Sequence, residues 1–382
     1  MIYFDNSATT KIALGALQTY QAVSEQFFGN PSSLHVIGEK AFHILEQSRQ
    51  QIADLLGVDH DEIFFTSGGT EGDNWVLKGT AIEKRAFGKH LITTSVEHPA
   101  IIKSMQQLEK LGFDVTYLPV DQFGRIDPAD LKAALRPDTI LVSIMAINNE
   151  IGTCQPLEAI ADILKDYPNI HFHVDAVQGI GKGIQEAIFN ERVDFVTLSG
   201  HKFHGPRGTG ILYKKRGRHL APLLTGGGQE HDLRSGTENV PAIAAMAKAL
   251  RLLLTDETEK VHRQAAIRDR LFNHISQSDK TVMFSQLTPD FAPHILCFAI
   301  KGVRGETTVH AFEEHEIYIS TTSACSSKKG TESSTLKAMH VNEKIATSAI
   351  RVSLDEYNTL EEADAFIKAF DQINERFKKI NS

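Results

Sequence analysis

The sequence predicts an α/β fold in which a large domain, built on a mostly parallel sheet covered by helices, is joined to a smaller α+β domain. Three observations carry that prediction. The chain has 382 residues, longer than one ordinary domain and long enough for two lobes that share a site. Through the first two-thirds, short apolar β-rich runs alternate with helix-like stretches, the pattern of parallel strands linked by crossover helices. The last third changes to long charged helical segments followed by a few short strands.

The strand-like runs are Glu62–Thr66, His90–Thr94, Asp114–Leu118, Thr139–Ala146, Ile170–Val174, Asp194–Leu198 and Gly210–Tyr213. Pro156–Lys165 reads as a helix between two of them, and Ala41–Leu56 has helical spacing through Ile44, Leu45, Ile52 and Leu55. Farther on, helical segments around Leu253–Ser276 lead into strands at Ile295–Ala299 and Ser348–Ser353. Thr359-Leu360-Glu361-Glu362 matches a capping box and opens a helix whose Ala363, Phe366, Ile367, Phe370, Ile373 and Phe377 make one apolar face. No repeat or low-complexity tract marks a linker, so the domains are divided by element order: 13–255 for the large domain, 1–12 and 256–382 for the small one.

Composition narrows the function. An apolar fraction of 41% and a charged fraction of 23% are ordinary for a soluble protein, and no apolar run is long enough to span a bilayer. The opening MIYFDNSATT lacks the basic start and apolar core of a secretory signal, so a cytoplasmic location is expected. Three cysteines, Cys154, Cys297 and Cys325, are no disulfide framework but leave room for one reactive thiol. Cys154 and Cys297 sit in apolar settings and read as small buried hydrophobes. Cys325 lies in Thr321–Thr335, a polar stretch expected to be an exposed loop. A net charge of −8 gives no reason to expect direct nucleic-acid binding.

Ligands of open α/β sheets gather beyond the carboxyl ends of the strands, so the polar residues after each run are the candidate site. Ser67-Gly68-Gly69-Thr70-Glu71-Gly72 is a glycine-rich turn entering a helix, suited to a phosphate held by backbone N–H groups and the Thr70 hydroxyl. Alone, it is an ordinary strand–turn–helix corner. It lacks dinucleotide spacing, and no Walker-type sequence occurs. Glu97-His98, Asn148–Gly152, and Asp175 with Gln178 follow the next runs, and Ser199-Gly200-His201-Lys202 follows the one after. A lysine just past a buried strand suits a Schiff base, because desolvation and a nearby cation lower its pKa. A buried aspartate about one βα unit earlier suits a protonated pyridine nitrogen. Thr70, Asp175 and Lys202 together supply phosphate, ring-nitrogen and aldehyde contacts for pyridoxal phosphate.

The order and wording of these segments resemble the NifS/IscS-like cysteine desulfurases of the class V aminotransferase superfamily. The resemblance runs from Tyr3–Thr10 and Gly29–Ser33 through Thr66–Asn74, His173–Gln178 and Ser199–Gly210 to Gly226–Glu230, Arg234–Thr237, Ser323–Ser326 and Ile350–Ser353. It implies a fold-type I pyridoxal-phosphate enzyme and a homodimer. It implies that Lys202 forms the Schiff base and moves the Cα proton, Asp175 holds the ring nitrogen, Gln178 the ring hydroxyl, and that His98 stacks on the ring. Gly69, Thr70, Ser199 and His201 would bind the phosphate, Thr237 the phosphate of the other subunit, and Asn149 and Arg351 the substrate carboxylate. Cys325 would take sulfur from L-cysteine as a persulfide, with His98 as a candidate base, and pass it to an Fe–S scaffold or a tRNA- or cofactor-thiolation enzyme. Ser323-Ala324-Cys325-Ser326 resembles the long-loop group, but Ser326–Gly330 departs from its commoner threonine-serine continuation, leaving the acceptor open. The rivals are a selenocysteine lyase or another class V aminotransferase, a zinc hydrolase using His171, His173 and Asp175 on one strand face, and a non-catalytic sulfur-relay scaffold. In the favoured reading His173 is a packed strand residue and His171 is partly exposed.

Overall fold

A computed structural model describes residues 1–322 and 333–380. Strand β1 (Ile2–Tyr3) precedes β2 (Ile63–Thr66), β3 (His90–Thr94), β4 (Asp114–Leu118), β5 (Thr139–Met145), β6 (His171–Asp175), β7 (Phe195–Ser199) and β8 (Gly210–Lys214). After these come β9 (Thr281–Met283), β10 (Ile295–Ile300), β11 (Ile317–Tyr318), β12 (Ser320–Thr321) and β13 (Ala349–Ser353). Strands β2 to β8 form one sheet in the order β2-β8-β7-β6-β5-β3-β4. Its β7-β6-β5-β3-β4 run is parallel, while β8 lies antiparallel to both β7 and β2. The mostly parallel sheet expected from the sequence is therefore present.

Alternation along the strands buries both faces of this sheet. In β2, Phe65 joins the helix Val36–Leu56 and the helix Val240–Leu254 in one core, while neighbouring Phe64 joins Trp75 and the helix Gly69–Glu83 in another. The Phe64 and Trp75 rings meet edge to face with centroids 5.9 Å apart, a geometry aromatic quadrupoles favour. The helix expected at Ala41–Leu56 starts five residues earlier, at Val36, because His35 caps it by accepting from the Gly38 N–H at 3.2 Å. It ends where expected, at Gly57 in the left-handed region.

The small sheet runs β12-β13-β10-β9 with every pairing antiparallel. The long charged helix is Glu257–Ile275, and the last helix is Leu360–Ile380. Its capping box is present: Glu362 N–H donates to Thr359 Oγ1 at 3.3 Å, and Thr359 N–H to Glu362 Oε2 at 3.1 Å. The apolar face of this helix joins β10 and β13, and Phe366 stacks on Phe312 at 4.5 Å. The first residues of the chain belong here too, since β1 pairs with β11 and Phe4 lies in the same core. Among the described residues no helix is long and apolar enough to cross a membrane.

Candidate active site

The carboxyl ends of the large sheet's strands converge, and the turns there are bound to one another by side chains. Past β2, Gly68 adopts φ 148°, where a side chain is strained, and Gly69 opens the helix Gly69–Glu83. A Cβ on Gly69 would sit 2.8 Å from Val177 Cγ2, and one on Gly72 2.7 Å from Thr197 Cγ2. The glycines thus let the helix start close against β7 and the turn after β6, with its first N–H groups lacking intrahelical partners. Ser199 is buried at the end of β7, with its Cβ 3.6 Å from the Cβ position of Gly69. Thr70 is exposed in the first turn of the same helix.

Past β3, Glu97 ties two strands together, its Oε1 accepting from Thr94 Oγ1 at 2.7 Å and from Met145 N–H at 3.0 Å. Burial pushes the Glu97 carboxyl up to about 8. His98 then caps the helix Pro99–Lys110, accepting from Ala100 N–H at 3.2 Å. Asn148, after β5, accepts from Glu150 and Ile151 N–H groups at 2.9 and 3.0 Å and donates to Val96 O at 3.0 Å. These bonds fix the turn that carries Asn149.

Asp175 ends β6, buried, with Oδ1 accepting from Val177 N–H at 3.0 Å. Burial raises its pKa, opposed by His98, the Val177 N–H and Lys202. His98 is pushed down by burial, held up by Asp175 and lowered further by Lys202. The three groups expected to surround a pyridine ring therefore feel one another's charge. Lys202, at the end of the short turn Gly200–Lys202, donates to the backbone oxygens of Ser7 and Ala8, the latter at 3.0 Å. Gln178 Nε2 donates to the same Ser7 oxygen at 3.1 Å. His201 meets Thr9 Oγ1 at 3.1 Å, and burial, with Lys202 and Arg207, depresses its pKa to about 4.

Arg351 comes from β13 in the small sheet and crosses to the large one. Its Nη1 donates to Asn149 O at 2.8 Å, and its Nη2 pairs with Asp5 Oδ1 at 2.8 Å. Its Nε is buried with no partner among the described residues. Thr237 is exposed, in the segment between β8 and the helix Val240–Leu254. Cys325 and most of the 321–335 loop lie outside the described residues.

Three expectations need correction. The loop expected to be exposed at 321–335 is mostly buried at its described ends: Thr322, Ser333 and Thr335 are buried, and Ser333 caps the helix Ser334–Ala338 by accepting from Leu336 N–H at 3.0 Å. His171 is buried rather than partly exposed, because helix Gly69–Glu83 covers the start of β6 and Thr80 Oγ1 reaches its Nδ1 at 3.0 Å. Cys154 is half-buried rather than fully buried, although burial still raises its thiol to about 12, and Cys297 is buried as expected. The zinc reading fails on geometry: both ring nitrogens of His173 meet hydroxyls, Ser143 Oγ and Thr197 Oγ1, at 2.9 Å. Among the described residues no group of three His, Cys, Asp or Glu side chains is placed to hold a metal ion. Sequence reasoning passed over Asp5, the Ser7 carbonyl and the tying roles of Glu97 and Asn148. A backbone oxygen carries no sequence signal, but the polar-rich stretch Asp5–Thr10 and the polar run Asn148–Glu150 did mark their neighbourhoods.

A sequence profile of the family described as Aminotransferase class-V matches residues 2–366. This chain belongs to that family. Among curated relatives of this class-V chain is the "NifS/IcsS protein homolog" of Lactobacillus delbrueckii subsp. bulgaricus, 63% identical and covering 100% of this chain and 99% of the relative. "Cysteine desulfurase IscS" of Methanosarcina thermophila is 40% identical over 100% of this chain and 93% of its own length. Of solved structures, a "NifS-like protein" superposes with a TM-score of 0.91 at 38% identity, covering 98% of this chain and 99% of that one. "SspA in complex with cysteine" superposes with a TM-score of 0.80 at 32% identity, covering 94% and 100%.

Proposed function

We infer that this chain is a cysteine desulfurase that uses pyridoxal 5'-phosphate to convert L-cysteine to L-alanine, taking the sulfur onto Cys325 as a persulfide. The observation that carries this reading is the meeting of His98, Asp175 and Lys202 at the ends of β3, β6 and β7, in a chain whose full-length relatives include named cysteine desulfurases. The donor set fits the cofactor. A buried carboxylate suits a cationic ring nitrogen, and a glycine-lined helix start beside Ser199 and His201 suits an anionic phosphate. Bound there, pyridoxal phosphate supplies an electron sink that labilises the Cα–H and Cβ–S bonds of L-cysteine.

The chain's own residues divide the work. Lys202 Nζ holds the aldehyde carbon and afterwards carries the Cα proton, Asp175 holds the ring nitrogen, Gln178 the ring hydroxyl, and His98 stacks on the ring. Gly69, Thr70, Ser199 and His201 hold the phosphate, with Thr237 reaching that of a second subunit. The substrate carboxylate takes the open Nε edge of Arg351, beside Asn149. The Cys325 thiolate attacks the substrate sulfur, forming an S–S bond as the Cβ–S bond breaks, with the bonding pair left on carbon and later protonated. His98 takes the thiol proton. The parts assemble from a large domain at 13–255 and a small one at 1–12 and 256–382.

A homodimer is supported by exposed apolar residues on consecutive segments near the start: Leu14, Phe28, Leu34, Val36, Ile37 and Phe42. Sparse cysteines support a cytoplasmic location. The persulfide passes to an Fe–S scaffold or a tRNA- or cofactor-thiolation enzyme, and labelled sulfur followed from Cys325 to each candidate identifies the acceptor. The activity itself is tested by incubating the loaded protein with L-cysteine and measuring alanine and sulfane sulfur. Cys325→Ala should abolish turnover with the visible cofactor band intact, and Lys202→Ala should lose that band. Full turnover in Cys325→Ala would refute the reading.

A further inference from the structure

We propose that His294 is a positioning residue for Gln178, donating to its carboxamide oxygen so that the amide offers only N–H donors to Ser7 and to the cofactor's ring hydroxyl. The proposal rests on the role given to Gln178 above. His294 lies just before β10 and is buried, while Gln178 follows β6, so the contact joins the two sheets. His294 Nε2 is 3.3 Å from Gln178 Oε1. A small cavity between them and the lysine is lined by Asn6, Gln178, Lys182, Lys202, His204 and His294.

Donor and acceptor counting fixes the orientation. The Ser7 carbonyl can only accept, so the nitrogen of the Gln178 amide must face it, at 3.1 Å. That leaves Oε1 towards His294. The imidazole is neutral, because burial and the cations Lys182, Arg268 and Arg351 push its pKa well down. Its single proton belongs on Nε2. On Nδ1, which has no partner among the described residues, the N–H would be stranded and the Nε2 lone pair would oppose the Gln178 oxygen. One N–H of Gln178 goes to Ser7, and the second remains for an acceptor on the side of Lys202, which donates to that same carbonyl. An ionised ring oxygen is such an acceptor. Without His294 the Ser7 carbonyl alone restrains the amide, and its second N–H is held less firmly towards that anion.

The test is the pH midpoint of the colour change of the loaded protein, read from its visible absorption. The other ionisable groups around the cofactor and the cavity, Asp175, Lys202, His98 and His201 with Lys182, His204, Asp355 and Glu356, stay in place. His294→Phe should raise the midpoint by about one pH unit, a tenfold change in the protonation equilibrium, as expected for one hydrogen bond to a charged group. His294→Gln, which restores an N–H donor, should return it towards the parent value. Gln178→Leu should raise it likewise, and the double variant His294→Phe with Gln178→Leu should rise no further than Gln178→Leu alone. If His294→Phe fails to fold, His294→Asn, whose amide ends short of Gln178, serves instead. A midpoint that moves in Gln178→Leu but not in the His294 variants overturns the positioning role and leaves the Gln178 assignment standing. A midpoint unmoved in Gln178→Leu overturns that assignment and the proposal with it.

Discussion

Asp175→Asn should act in opposite directions on the empty protein and on the loaded one. The Asp175 carboxyl is buried at the end of β6, where one hydrogen bond to an oxygen, from Val177 N–H, incompletely replaces its hydration. Burial therefore raises its pKa above the unfolded value despite His98 and Lys202. An acid raised in this way binds its proton more tightly when folded, so its contribution to stability is present below the unfolded pKa and is lost as pH rises through the folded pKa. Asparagine keeps the shape and the Val177 bond without ionising, so above that window the empty variant should melt higher than the parent. With cofactor, the sign reverses. The variant leaves a cationic ring nitrogen without its buried partner, a loss of about 3–5 kcal/mol, or a Kd weakened roughly 10²- to 4 × 10³-fold. The assay pairs thermal melting of cofactor-free protein at two pH values with a spectroscopic titration of pyridoxal phosphate. An Asn variant that binds the cofactor as tightly as the parent would refute the assignment of Asp175 to the ring nitrogen. One that melts lower when empty would refute the electrostatic account of the site.

Two further perturbations test the scaffold around the site. Glu230 receives a bidentate Arg49 at 2.7 and 2.9 Å and also accepts from Phe65 N–H at 2.9 Å, all out of water; Glu230→Ala leaves Phe65 N–H unpaired and the guanidinium with only Glu46 and Ile63 O, and should cost about 3 kcal/mol in denaturant unfolding. Glu150, which accepts from the Ser333 hydroxyl, is raised by burial to about 7, so its part of the stability is full below about pH 4.5 and declines as pH rises to about 7. Glu150→Gln should flatten the melting temperature across that window, and an unchanged slope would assign the pH dependence to other acids.

Much of this architecture was legible because it follows from periodicity and from short-range hydrogen bonding. The bounds of β3 and β4 agree with the apolar runs His90–Thr94 and Asp114–Leu118, and the Thr359–Glu362 capping box needs only residues three apart. The short strands β1, β11 and β12 were not legible. Two-residue strands have no period, and their positions are set by partners more than 300 residues away in the case of β1 and β11. The same division runs through the site. Residues at or just past strand ends, such as Asp175 and Lys202, announce themselves by position, whereas the Ser7 carbonyl and the Asp5–Arg351 pair depend on tertiary contact. His171 was misread as partly exposed because the end of a strand looks solvent-accessible until a helix is laid across it.

The Asp5–Arg351 pair makes a last prediction about substrate binding. A guanidinium presents its N–H groups along fixed edges, and a carboxylate binds best to two at once. In Arg351, Nη1 is held by Asn149 O, Nη2 by Asp5, and Nε is buried and open among the described residues. A substrate carboxylate on the Nε–Nη2 edge therefore shares Nη2 with the Asp5 carboxylate. Asp5 is 21% exposed and its arginine 4%, so the pair is partly wetted and contributes about 0.2–1 kcal/mol. Asp5→Asn removes the competitor and should lower the KM for L-cysteine up to about fivefold, with kcat little changed, the signature of altered uniform binding. A KM that instead rises would mean that Asp5 orients the guanidinium rather than competing for it, and that the substrate binds on another edge.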